Sequence, residues 1–433
     1  MTFGLLPERA DGLPPTSQIL PYGKSRVRLV NIHDLGPRLT PTELEHPAYF
    51  VNGNFETEWW NDPAKALLLP KGQELTDEIS GRSVLYTLLT CGALREAAGF
   101  DDILKFHLSI AKQRLGKAAV LKANTQLNAV LLHQLGDAFD ETEAAEKGPL
   151  LSADVNLAPA GAEERWYTLY AASFREGILF SYAPALGTAQ AVAALLSRRD
   201  VVIRDILKNR KPYFTKLAVL VADLESSVRI CAELPPDEYF ELINDVWHSM
   251  ARILRKYYAT HGKHVGDGLV YYFLPQPDSH YLFNAIQCAQ EMREKMQEIS
   301  QVWKARKNWL NDLRLNMGID EGQEWFGTYQ TPSHLEFTVL GDTINRTARL
   351  SDFAQGGSIW MTKAMLSKLS PPERERLQFG IQYDRGGHLQ VVLNSYARMA
   401  NLIDLNDPGN KKLCDIAGLT VAELFGIQAG AKA

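Results

Sequence analysis

The chain has 433 residues, a formal net charge of −5, and 45% hydrophobic and 22% charged residues. That length allows two or three domains with full cores, in an ordinary globular composition. The mildly acidic balance gives no reason to expect nucleic acid or an anionic membrane as a partner, and no apolar run nears the ~18 residues that cross a bilayer.

The opening "MTFGLLPERADGLPP" carries acids and prolines where a secretory leader needs a basic start and an apolar stretch, so a cytoplasmic protein is expected. Residues 1–40 are rich in Pro and Gly and read as an irregular lead-in. From residue 41 a first domain is expected to run to 185. In "HPAYFVNGNFETEWWNDPAKALLL", two β-like runs flank Asn52-Gly53, a hairpin signal. Asn61 is placed to cap a helix with Pro63 just inside it. Residues 83–135 have apolar positions at helical spacing, and the acidic stretch 136–164 reads as a loop. "RWYTLYAASFREGILFSYAP" reads as two strands joined at Arg175-Glu176-Gly177. Cys91, Cys231, Cys288 and Cys414 form no CxxC, so reduced, buried thiols are expected and not a disulfide frame or zinc site.

Residues 186–210 have a helical stripe of Val192, Leu195, Leu196, Val202, Ile203, Ile206 and Leu207, ended by Pro212. This connecting helix has two readings: packing on its own domain, or a short parallel coiled coil in a dimer. A new pattern then occupies 211–400. "KLAVLVADL" is a buried strand, and "PPDEYFELINDVWHSMARILRKYYATHG" is an amphipathic helix ending at Gly262. "KHVGDGLVYYF" is a hairpin around Asp267-Gly268. "SHYLFNAIQCAQEMREKMQEISQVWKAR" is a second helix. "LRLNMGIDEGQEWFGTYQ" reads as strand, turn and strand, and "EFTVLGDTINRTARLSDFA" as a strand entering a helix. The order βαββαβ predicts an α+β, ferredoxin-like sheet covered by helices. Residues 401–433 are expected to be a C-terminal tail.

Asp223 follows a buried strand and Asp267 sits at the hairpin tip, so neighbouring strands would bring the two carboxylates together. Two aspartates without histidine or cysteine suit a hard cation such as Mg2+ or Mn2+. Taken alone, Asp223 could equally cap a turn and Asp267 only make the hairpin.

"VLVADLESS", "HGKHVGDG" and "FTVLGDTINRTARL" together resemble the class III nucleotidyl cyclases, the adenylate and guanylate cyclase family. The resemblance covers about 211–395. It implies that Asp223, Asp267 and the backbone carbonyl of Leu224 hold two metal ions per active site. Lys263 and Thr338 would read the base, Asn345 would orient the ribose, and Arg349 would stabilise the transition state. Arg385 is the candidate phosphate grip. Spacing i, i+4 puts Asn345 and Arg349 on one helix face. The implied enzyme is an adenylate cyclase (a phosphorus-oxygen lyase) that makes cyclic AMP from ATP as a homodimer, with sites between subunits. Lys263 can donate to adenine N1 and Thr338 can accept from the amine, yet Lys can also donate to guanine O6. A cyclase for GTP or a pyrimidine triphosphate stays open, as does a catalytically silent nucleotide-binding module.

The segment 41–185 loosely resembles PAS-type sensor domains, which implies a small-molecule effector. Trp59 and Trp60 could line its pocket or be plain core. His33, His46, His107 and His133 are read as surface or core residues in preference to haem ligands.

Overall fold

The computed structural model describes residues 28–29, 40–69, 76–174, 176–184, 195–196, 202–203, 205–206, 209–276, 279–307, 309, 312–331, 334–385 and 388–428. The lead-in therefore lies largely outside them.

The first sheet is antiparallel, with strands β1 (Arg28–Leu29), β2 (Ala48–Val51), β3 (Thr57–Trp60), β4 (Leu150–Asn156), β5 (Trp166–Ser173) and β6 (Ile178–Pro184) in the order β1-β4-β5-β6-β2-β3. Helices α1 (Asp62–Leu68), α2 (Val84–Thr90), α3 (Gly92–Arg95), α4 (Phe100–Ala111), α5 (Lys117–Ala123) and α6 (Ala129–Glu141) lie between β3 and β4. Asn61 caps α1 as expected, its side chain accepting from the Ala64 amide. The β2–β3 connection is longer than an Asn-Gly turn. It spans residues 52–56, and the positive-φ residue is Phe55. Strand β4 lies inside the stretch read as an acidic loop, because its run "LLSADVN" is buried between polar flanks.

Trp59 and Trp60 enter different apolar clusters on the two faces of β3, as strand alternation requires. They are core, not pocket. His107 is also core: Nε2 accepts from the Tyr49 hydroxyl at 2.6 Å, and Nδ1 donates to the Ile103 carbonyl at 2.7 Å. Burial lowers its pKa to about 4. With both ring nitrogens engaged, it has none to offer a haem.

Most of the connecting stripe lies outside the described residues. Leu195, Leu196, Val202, Ile203 and Ile206 are helical and buried against the outer face of the first sheet, with Phe50, Trp59 and Leu179. At these positions the stripe packs on its own domain.

The second sheet has β7 (Tyr213–Leu224), β8 (Thr260–Val265), β9 (Gly268–Phe273), β10 (Leu315–Thr331), β11 (His334–Leu340), β12 (Ile359–Thr362), β13 (Leu377–Arg385), β14 (His388–Leu393), β15 (Ala397–Arg398) and β16 (Thr420–Ile427). Its path is β14-β13-β16-β12-β10-β7-β9-β8, with β11 on β10 and β15 on β16. The run β10-β7-β9-β8 is the 4-1-3-2 order of a ferredoxin-like unit. The fold is α+β, as the element order predicted. Helices α7 (Ser227–Glu233), α8 (Pro236–Lys256) and α9 (Tyr281–Lys307) follow β7 and β9. The buried faces of α8 and α9 share one core with β7, β9, β10 and β12.

Several boundaries differ from the sequence reading. Helix α8 stops at Lys256, because Tyr258 takes φ 61° and β8 starts at Thr260. "LNMGIDEGQEWFGTYQT" is one 17-residue strand with no turn. Gly318 and Gly322 serve close packing by helix α10 (Asp342–Phe353), while Gly327 lies against Pro212. Residues 401–428 are not a tail: β16 is inserted between β12 and β13, with Val421, Ala422 and Leu424 buried. The cysteines are free, but only Cys91 and Cys288 are buried; Cys231 and Cys414 are exposed. No helix among the described residues is long and apolar enough to cross a membrane.

Candidate active site

Strand β7 ends at the residues that matter. Leu217 to Leu220 and Ala222 are fully buried, so the sheet holds the strand rigidly up to Asp223. Asp223 lies opposite Gly268 on β9 and opposite Asn316 on β10. The β8–β9 turn consists of Gly266 and Asp267, closed by the Val265–Gly268 pair. The hairpin is therefore shifted by one residue from the Asp-Gly reading. Gly266 supplies the positive φ, at 63°, and Gly268 is the first residue of β9. A Cβ on Gly268 would lie 3.0 Å from Asp223 Oδ1, so glycine leaves room for that carboxylate. Asp267 is thereby held beside Asp223, as the sequence predicted.

Electrostatics agree with the geometry. Burial, then the charges of Asp267 and Asp352, raise the Asp223 pKa above its usual range. Like charges gathered at one strand end disfavour ionisation, and a divalent cation would reverse that sign. The donor set is all hard oxygen: the Asp223 and Asp267 carboxylates and the Leu224 carbonyl. It fits Mg2+ or Mn2+. No group of three or more His, Cys, Asp or Glu placed to hold a metal occurs among the described residues. The backbone after Leu224 is pinned: the Glu225 amide donates to the Arg314 carbonyl, and its carboxylate accepts from the Gly356 amide.

Asn345 and Arg349 lie one turn apart on α10, Asn345 exposed and Arg349 half-buried. Arg349 Nη1 donates to Asp352 Oδ2 at 3.1 Å, and the charge of Asp352 is felt at Asp223. Lys263 is half-buried on β8 opposite Val270. Thr338 is on β11 opposite Gly327. Val270 and Val339, their immediate neighbours, pack in one apolar cluster. Arg385 lies on β13, separated from β7 in strand order by β16, β12 and β10. Within one chain it is not brought to the aspartate pair.

Two neighbours escaped the sequence reading. Asp352 follows Arg349 by three residues on α10, a helical spacing that could have been noticed. Tyr239, in the first turn of α8, has its hydroxyl pKa raised by burial and by the charges of Asp267, Cys231 and Asp223. Nothing local in the sequence marks it.

Residues 210–392 match the family model described as the adenylate and guanylate cyclase catalytic domain. That segment of the chain is a class III nucleotide cyclase catalytic domain. An uncharacterised protein of Mycobacterium tuberculosis is 24% identical over 199 residues, 44% of this chain and 33% of that protein. An adenylate cyclase of Anabaena cylindrica is 24% identical over 160 residues, 36% of this chain and 32% of that one. The match thus spans about a third of the length of these curated relatives. Among solved structures, the adenylyl cyclase CyaB of P. aeruginosa is similar at 20% identity and TM-score 0.39, over 51% of this chain and 100% of that one. The guanylyl cyclase Cya2 is similar at 17% identity and TM-score 0.38, over 51% and 96%.

Proposed function

We propose that this chain is an adenylate cyclase, converting ATP to 3′,5′-cyclic AMP and pyrophosphate in a homodimer, with residues 41–185 as a PAS-like regulatory domain that takes a small-molecule effector. The observation that carries the reading is the Asp223–Asp267 pair, one at the end of β7 and the other in the turn that enters β9, brought together where Gly268 faces Asp223.

In this reading the ribose 3′-hydroxyl attacks the α-phosphorus in line, and pyrophosphate leaves. Asp223, Asp267 and the Leu224 carbonyl hold the divalent cations, which when bound neutralise phosphate charge and acidify the hydroxyl. Asn345 orients the ribose. Arg349 holds a fixed guanidinium against the charge that develops on the phosphoryl oxygens. Lys263 donates to adenine N1, and Thr338 accepts from the exocyclic amine. Arg385 grips the departing phosphates. The separation of Arg385 from the aspartates within one chain accords with a site shared by two copies.

The test uses the purified full chain with ATP, GTP, CTP or UTP, each with Mg2+ or Mn2+, and mass spectrometry of the products. Cyclic AMP from ATP alone is expected. A preference for GTP would reassign Lys263 and Thr338, and no cyclic product from any triphosphate would overturn the reading. Asp267→Ala is expected to abolish turnover while circular dichroism and chain association stay unchanged.

A further inference from the structure

We infer that Asp320 is a positioning residue for the cyclisation, setting through Arg346 the rotation of α10 and hence the aim of Asn345 and Arg349. The inference rests on the roles proposed above for those two residues.

The geometry starts from β10. Successive same-face positions 316, 318, 320, 322 and 324 all meet α10. The Asn316 carbonyl accepts from Ser351 Oγ at 3.1 Å. A Cβ on Gly318 would lie 2.4 Å from the Thr347 carbonyl oxygen, and one on Gly322 would lie 2.0 Å from Thr343 Oγ1. The helix therefore rests almost directly on the strand. Across these glycines β10 offers no side chains to interlock with the helix, and directional polar contacts take their place; apolar packing comes from Ile344 in the first turn and from Leu350 and Phe353 near the last. Glu324 Oε1 accepts from the Thr343 amide at 3.1 Å and from Thr343 Oγ1 at 2.6 Å. It stands in for a cap, since Gly341 at the N-cap has no side chain to offer.

Asp320 is the central contact. It is 1% exposed. Its Oδ2 accepts from Arg346 Nε at 2.8 Å, while Oδ1 accepts from Thr362 Oγ1 at 2.6 Å and from the Glu321 amide at 2.8 Å. Both oxygens are fixed, so the carboxylate cannot swivel. Burial still raises its pKa, against the opposing pull of Thr362 and Arg346. A buried carboxylate is a costly way to fill a strand position unless its direction matters. Arg346 adjoins Asn345 and precedes Arg349 by three residues, so its tether is also theirs. Turning a helix by about 10° moves a side-chain tip about 6 Å from the axis by about 1 Å. A displacement of that size can cost about a hundredfold in rate.

The test is a mutant cycle in the full chain. Asp320→Asn keeps the shape and loses the charge. It is expected to lower kcat about ten- to a hundredfold, with KM for the nucleotide within about threefold of wild type. Arg346→Gln should do the same, and it carries the test if Asp320→Asn fails to fold. The double variant should be no worse than either single one. Arg349→Ala should cost less in either background than in wild type, because a misaimed guanidinium has less to lose. A lowered melting temperature with unchanged kcat per folded molecule, or additive effects with Arg349→Ala, would overturn the inference. If Arg349→Ala alone leaves turnover intact, the site reading fails and this inference falls with it. If Arg349→Ala is inactive but Arg346→Gln is fully active, only this inference falls.

Discussion

Glu56 occupies the last position before β3, where Asn52 Nδ2 donates to its carboxylate at 2.8 Å and Asn54 Nδ2 at 3.4 Å. Burial nevertheless pushes its pKa up to about 7; the asparagines oppose the rise, and Glu58 adds to it. The folded chain thus holds this proton more tightly than the unfolded one. Stability from that proton is complete below about pH 4.5 and is lost as pH rises through about 7. Glu56→Gln cannot ionise. Its melting temperature should exceed wild type at pH 8 and converge on it near pH 4.5, with a difference worth at most about 3 kcal/mol. Melting curves at the two pH values check this; equal differences at both would remove Glu56 as the cause.

At the scale of elements, β10 shows what can and cannot be read in a sequence. The apolar run before Asp223, the β-formers around Asp267 and the helical spacing of "NRTAR" each gave a correct element, because each signal is local. "GIDEG" misled, since glycine and acids are turn formers. Here the glycines admit a helix backbone and the acids grip it, and neither use is visible without α10. Strand β16 was missed for a similar reason: its partners Ile359–Thr362 and Leu377–Arg385 are remote in sequence. Gly318→Ala tests the packing directly. Its Cβ would meet the Thr347 carbonyl and, at 2.7 Å, the Ser351 amide, both backbone atoms of α10. A loss of about 1–3 kcal/mol is expected by denaturant titration, together with reduced cyclisation. A variant with unchanged stability and rate would show that α10 can lift freely.

At the scale of the molecule, the two sheets are joined at the start of β7. Arg210 and Glu58 form an ion pair of 2.9 Å, with side chains 1% and 4% exposed. The Tyr213 hydroxyl donates to Glu58 at 3.2 Å, and the Arg210 guanidinium lies over the Tyr213 ring at 4.4 Å. The Phe214 amide donates to the Asp77 carbonyl, and Asn54 Nδ2 donates to the Pro275 carbonyl. Nothing near Arg210 in sequence announces a buried carboxylate on β3. Glu58→Ala removes the anion facing a buried guanidinium and should cost about 3–5 kcal/mol. In urea the midpoint should fall and the single transition should tend to split as the sheets unfold apart. An unshifted midpoint would mean that the pair contributes nothing.

The same seam bears on how the protein can be dissected. Ile79, from the N-terminal part, packs in one cluster with Tyr213, Leu217, Tyr272 and Phe326 of the cyclase sheet. A gene fragment cut just before β7 would strip Ile79 from that cluster and Glu58 from the Tyr213 hydroxyl, and turn aromatic surface to water, inviting aggregation. Grafting a foreign input module onto residue 211 would do likewise unless the graft brought its own apolar residue and carboxylate. The shortest well-behaved piece therefore begins upstream of the first sheet, and exchanges of the N-terminal domain succeed only where this seam is copied with them.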